Sequence, residues 1–163
     1  MIRIRAVRLS DVKAFRACFD AIARERIHLG SVVAQPIKQV RGYMRDTLGA
    51  KCPFYVALDG KRIVGWCDAA PREMEGFRHT VGLGVGLLPE ARRRGLGSRL
   101  LRKVIAHCRR RRGIEKIELQ VYASNRAGRA LYRKFGFRQE GRRVRARKLD
   151  GKYDDVVLMG LLL

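Results

Sequence analysis

The sequence predicts an α/β (α+β) fold in a single domain, residues 1–163, and three observations carry that prediction. Segments with strand alternation and segments with helical spacing are interleaved along the whole chain. The apolar strand ending at Leu87 leads through a basic, double-glycine turn directly into a helix. With 163 residues and 47% apolar content, the chain can bury one core, is too short for two comfortable ones and is too apolar for disorder.

In order, Ile2 to Val7 alternates as a strand, Ser10 is placed to cap a helix through Asp11 to Arg24, and Pro36 opens a second helix near Ile37 to Leu48. Phe54 to Leu58 and Arg62 to Asp68 read as a hairpin about Asp59-Gly60. Thr80 to Leu87 is a strand, Gly95 to Arg111 a helix, Ile114 to Val121 a strand and Asn125 to Phe135 a helix. A strand from Arg138 to Lys148, a turn at Asp150-Gly151 and a strand from Tyr153 to Leu161 complete the order. The apolar run Val156 to Leu163 is too short to span a bilayer and reads as a buried strand, which completes either the sheet alone or a homodimer. Met1-Ile2-Arg3-Ile4-Arg5 enters a strand pattern at once, so no signal peptide is expected. Cys18, Cys52, Cys67 and Cys108 have neither metal-ligand nor Cys-x-x-Cys spacing, so reduced, mostly core cysteines in a cytoplasmic protein without a metal are expected.

The turn Pro89-Glu90-Ala91-Arg92-Arg93-Arg94-Gly95-Leu96-Gly97-Ser98 has the chemistry of an anion cradle. Glycine lets a ligand approach the backbone, the first helical amides lack intrahelical acceptors, and the helix end is positive. Guanidinium groups of Arg92, Arg93 and Arg94 add to a site suited to phosphate or pyrophosphate. A Walker loop is excluded because no Gly-Lys-Ser/Thr occurs, and a dinucleotide fingerprint because Leu100 stands where its third glycine belongs. Gly82, Gly84 and Gly86 sit inside a strand, where they either admit a ligand backbone or relieve crowding in the sheet.

Arg92-x-x-Gly95-x-Gly97 is followed about 30 residues later by Asn125, then Tyr132 seven residues on, then Gly136-Phe137. This ordered pair resembles motifs A and B of the GNAT superfamily of N-acetyltransferases, strongly over Val81 to Phe137. The resemblance implies a central mixed, mostly antiparallel sheet of six to seven strands, splayed between its fourth and fifth strands and flanked by about four helices. It implies acetyl-CoA as cosubstrate and direct attack of a primary amine on the thioester. By the same resemblance, the pantetheine lies along Val85, Gly86 and Leu87, and the pyrophosphate sits on Arg92, Arg93, Arg94, Gly95, Leu96, Gly97 and Ser98. Asn125 bonds the pantetheine arm, and the Tyr132 hydroxyl protonates the departing thiolate.

The base is open. Gln120 stands five residues before Asn125, where relatives that modify protein N-termini commonly carry Glu, and an amide cannot take a proton. Glu118, two residues earlier on the same strand face, and His79, before the fourth strand, are candidates beside an amine that arrives neutral through ordered water. Phe77-Arg78-His79 and the ending Asp150 to Met159 are similar to the branch with amino-acid and phosphinothricin-type enzymes, and to the ribosomal-protein N-terminal branch.

Net charge is +22, with 22 basic and 7 acidic residues in 81–163 against 15 and 8 in 1–80. The more basic half holds the cradle, which suits an anionic coenzyme and an acceptor carrying a carboxylate, and disfavours polyamines. Arg109 to Arg112 could contact a phosphate backbone, yet no interleaved aromatic motif accompanies them, and a solvated run is the simpler reading, with no nucleic acid or membrane partner expected. Against an enzyme stands a non-catalytic module of the same fold that binds acyl-CoA or nucleic acid, favoured by Gln120 and by the arginine run.

Overall fold

In the computed structural model, which describes Met1–Leu163, the elements are β1 (Ile2–Ala6), α1 (Val12–Ala23), α2 (Ile37–Gly49), β2 (Phe54–Asp59), β3 (Arg62–Pro71), β4 (Thr80–Leu87), α3 (Leu96–Arg110), β5 (Lys116–Tyr122), α4 (Arg126–Lys134), β6 (Arg138–Leu149) and β7 (Lys152–Leu162). The order is the one the sequence predicts. One local detail differs: Ser10 lies in a 3-10 turn, Leu9–Asp11, and does not cap α1. Asp11 organises this turn instead, because its carboxylate accepts from the Arg8 amide (2.8 Å) and from both arms of Arg5 (2.7 and 2.9 Å). β3 also runs beyond Asp68, since Ala69 to Pro71 find partners in Leu83 to Val81.

The seven strands form one sheet of order β1-β2-β3-β4-β5-β7-β6, antiparallel except for β4 and β5. That parallel pair holds together only from Thr80↔Lys116 to Gly82↔Glu118, after which the strands part. Side chains alternate across the sheet, so β3 serves both layers. Trp66 packs edge-on against Phe15 of α1 (5.3 Å between centroids), while Cys67 points to the opposite side, toward Cys108 of α3. The buried stripe Leu100, Leu101, Val104, Ile105 and Cys108 sets α3 against β2, β3 and β4. A core of 34 buried residues includes both layers.

Candidate functional site

Where β4 leaves β5, one edge of Leu83 to Leu87 has no strand partner, although the other edge pairs with Gly65 to Ala69 of β3. The gap is a cleft of about 1180 Å³. β4 forms one wall and Gln120 to Tyr122 of β5 the other, the turn before α3 closes one end, and the His28–Gly30 loop and the β6 segment 146–148 border the opening.

The turn is built from backbone conformation. Arg93 (φ 58°) and Gly95 (φ 70°) are left-handed, and Gly95 is the N-cap of α3 with no side chain bonded to the helix end. The first helical bond of this turn runs from the Arg99 amide to the Gly95 carbonyl (3.1 Å), which leaves the amides of Leu96, Gly97 and Ser98 without intrahelical acceptors. Gly97 admits α4 closely, since a Cβ there would lie 3.2 Å from Leu131 Cδ2.

The three arginines of the turn have different surroundings. Arg92 lines the cleft with its guanidinium already engaged: its Nε donates to the Leu87 carbonyl (3.0 Å) and its two terminal nitrogens to Glu25 at the end of α1 (2.8 and 2.5 Å). Its charge is therefore already partnered, and it ties the end of β4 to α1. Arg93 also lines the cleft, whereas Arg94 is exposed outside its lining.

Crowding accounts for the glycines at 84 and 86. A Cβ on Gly86 would lie 2.3 Å from the Trp66 ring, and one on Gly84 would lie 2.8 Å from Asp68 Oδ1. Val85 and Leu87, between and beyond them, are half-buried and line the cleft with Gly86.

Asn125 caps α4, its Oδ1 accepting from the Gly128 amide (2.9 Å). Gly128 is needed for this, because a Cβ there would lie 2.7 Å from Asn125 Nδ2. Tyr132 lines the cleft from α4, 7% exposed and packed against Phe137 at 5.8 Å. Burial pushes its hydroxyl above the ordinary tyrosine range, so the phenol keeps its proton at neutral pH.

Glu118 shares a sheet face with Gln120 and Tyr122 but stands at the narrow end, outside the cleft lining, between Lys116 (3.2 Å) and Arg72 (3.4 Å). His79 is exposed and also outside the lining. Gln120 faces the cleft, with its Oε1 accepting from Arg143 of β6 (2.5 Å). The residues that line the cleft include no Asp or Glu.

Several groups at the site carry no sequence signal, because long-range pairing brings them there. Arg147 of β6 stacks over Tyr122 (4.5 Å) and donates to the Arg26 carbonyl (2.7 Å), and Arg26 pairs with Asp150 (2.7 Å). This fastens the α1–α2 loop to the β6–β7 hairpin. His28 of that loop lies in the cleft wall, its imidazole pushed below the ordinary range by burial and by Arg92. In the arginine run, Arg111 is half-buried and donates to the Ala50 carbonyl (2.8 Å), joining the ends of α3 and α2, while Arg109, Arg110 and Arg112 are exposed.

The model of the Acetyltransferase (GNAT) family matches residues 35–137, a stretch that contains both the cradle and the Asn125–Tyr132 segment. The chain belongs to the GNAT family. It is 30% identical over 102 residues to the L-amino acid N-acetyltransferase AaaT of Escherichia coli (strain K12), covering 63% of this chain and 62% of that one. Over 113 residues it is 30% identical to the L-methionine sulfoximine/L-methionine sulfone acetyltransferase of Pseudomonas aeruginosa, covering 68% of this chain and 65% of the relative. In both cases the match spans just under two thirds of the relative. The GNAT superfamily phosphinothricin acetyltransferase of Sinorhizobium meliloti, solved in complex with acetyl-CoA, shares the fold at a TM-score of 0.90 and 19% identity, over 99% of this chain and 88% of that one.

Proposed function

We propose that this GNAT protein is an acetyl-CoA-dependent N-acetyltransferase acting on a primary amine, either a small molecule such as an amino acid or a protein N-terminal α-amino group. The observation that carries this reading is the parting of β4 from β5 after three rungs. It sets an unpaired strand edge beside a helix N-terminus with free amides. A pantetheine arm is an extended chain of amides that needs such an edge, and a pyrophosphate needs such amides. The Sinorhizobium relative, with acetyl-CoA bound, supports the choice of ligand.

In this reading Val85, Gly86 and Leu87 bind the arm, the amides of Gly95 to Ser98 with Arg93 bind the pyrophosphate, and Arg92 braces the turn through Glu25. Acetyl-CoA supplies the activated acyl group. Tyr132 keeps its proton until a thiolate departs beside it. For the acceptor, a cleft with Arg143, Arg147 and Lys148 at its rim and no carboxylate in its lining favours an amine that carries a carboxylate. The amino-acid substrates named for the Escherichia and Pseudomonas relatives agree with that.

The test is thiol release from acetyl-CoA against amino acids, polyamines and N-terminal peptides, with Tyr132→Phe alongside. Turnover with one acceptor class, falling about 10²-fold or more in the variant with acetyl-CoA affinity retained, is expected. Binding without turnover for every acceptor would instead favour the non-catalytic module, the reading that Gln120 and a lining without carboxylates support.

A further inference from the structure

The cleft presents no carboxylate to deprotonate an amine, yet one lies immediately behind its wall. Asp68 is 1% exposed, and the other buried polar side chains are Thr47 and Thr80. It sits on β3 directly opposite Gly84 of β4. Its Oδ2 accepts from the Tyr43 hydroxyl of α2, and its Oδ1 is the oxygen that faces Gly84. Any side chain at 84 would collide with this oxygen, so glycine keeps the carboxyl pressed against the strand that lines the cleft.

Sheet parity puts the group on the useful side. Asp68 pairs with Gly84, Gly82 pairs with Glu118, and Gln120 follows Glu118 by two, so all five positions share one face. This is the face covered by α1 and α2, opposite the one on which α3 packs. We propose that Asp68 is the base for the transfer, taking the proton of the incoming amine at Oδ1 over Gly84. The inference rests on the acetyltransferase reading given above.

The surroundings suit that task. Tyr43 faces the carboxyl from α2, Cys52 from the segment after α2, and the Trp66 indole and Cys67 from β3 itself. Arg72 lies one rung away over Gly82, engaged with Glu118. Burial pushes Asp68 up to about 7, with Tyr43 and Trp66 holding it back, which places it where a base for neutral-pH chemistry works best. Glu118, outside the cleft lining, is held in ion pairs with Lys116 and Arg72.

The step balances. An ammonium N–H bond breaks with its proton going to Asp68, the freed lone pair forms the C–N bond to the thioester carbon, and the C–S bond breaks with its electron pair on sulfur. Tyr132 protonates that sulfur. The second proton shed by nitrogen restores Tyr132 through water, and Asp68 returns its own to solvent.

The experiment is the pH profile of kcat/KM for the wild type, Asp68→Asn and Tyr43→Phe, with acetyl-CoA affinity and Tm measured on each. We expect an acidic limb in the wild type. Asp68→Asn should lose the limb together with about 10²- to 10⁴-fold in rate, with acetyl-CoA affinity unchanged. Tyr43→Phe, which removes a donor to the carboxylate, should move the limb to higher pH, an effect that mere anchoring of α2 would not produce. Asp68→Asn with the limb intact and a rate within a few-fold of wild type would overturn the proposal alone. If Asp68→Asn does not fold, an unmoved limb in Tyr43→Phe overturns it. A wild type that binds acetyl-CoA but turns over no acceptor overturns the transferase reading and this proposal with it.

Discussion

Gly86→Ala adds a methyl group 2.3 Å from the ring of Trp66, and the ring has little room to yield. Trp66 is 3% exposed and lies 5.3 Å from Phe15 and 5.5 Å from Phe19, centroid to centroid. Gly86 is not among the residues with positive φ, so the backbone tolerates alanine and the penalty is one of overpacking. Overpacking of this kind costs about 1 to 3 kcal/mol. For a chain of 163 residues each kcal/mol is worth roughly 3 °C, so Tm should fall by about 3 to 9 °C. The protein has one tryptophan, so its intrinsic emission reports both unfolding and displacement of this ring. Trp66→Leu in the same chain should relieve the collision, giving a combined loss smaller than the sum by about 1 kcal/mol or more. A Tm within about 1 °C of wild type with unchanged emission, coupled to about tenfold weaker acetyl-CoA binding, would refute the crowding argument and show that residue 86 is glycine for the ligand.

Three further outcomes follow from the same geometry. Glu25→Gln leaves the half-buried Arg92 without its charged partner and should cost about 1 to 3 kcal/mol, read as a lower urea midpoint; an unchanged midpoint would mean that the pair contributes nothing. Asn125→Ala removes the cap of α4 and should cost about 1 kcal/mol, with faster amide exchange at Gly128 as its local signature. Asp68 should also make stability fall with pH: between its ordinary value near 3.8 and about 7 the unfolded chain releases this proton while the folded one retains it. The contribution is complete below the lower value and lost on rising through the upper one, on the order of 4 kcal/mol in all. Denaturant midpoints of wild type minus Asp68→Asn at pH 4, 6 and 8 check this, and a difference independent of pH would contradict it.

The cradle was legible in the sequence, and so was the element order. Left-handed backbone at Gly95 and the free amides after it are set by residues within a few positions of one another, and local chemistry of that kind shows in a one-dimensional pattern, whereas the cap that Asn125 gives α4 was not read from the sequence. Ser10 was misleading for a local reason as well, since a 3-10 turn over Leu9–Asp11 runs into α1 and puts Asp11, not Ser10, at the residue before the helix. Glu118 could be placed on the correct face by counting twos. Counting could not reveal that Arg72, from another strand, would engage it.

By itself the sequence determined which elements form, where a glycine turn opens a helix with free amides and which family the chain resembles, because propensity, capping and periodicity act over a few residues. Tertiary structure alone decided which charges remain free and which glycines are required. Arg92 is neutralised by a carboxylate 67 positions away, and Gly84 and Gly86 answer to Asp68 and Trp66 across a strand pair. The cleft exists because β4 and β5 stop pairing after Gly82, and the buried carboxyl behind it titrates near neutrality because packing removes its water. Such properties depend on distance in space, and folding brings together residues whose separation along the chain says nothing of their contact.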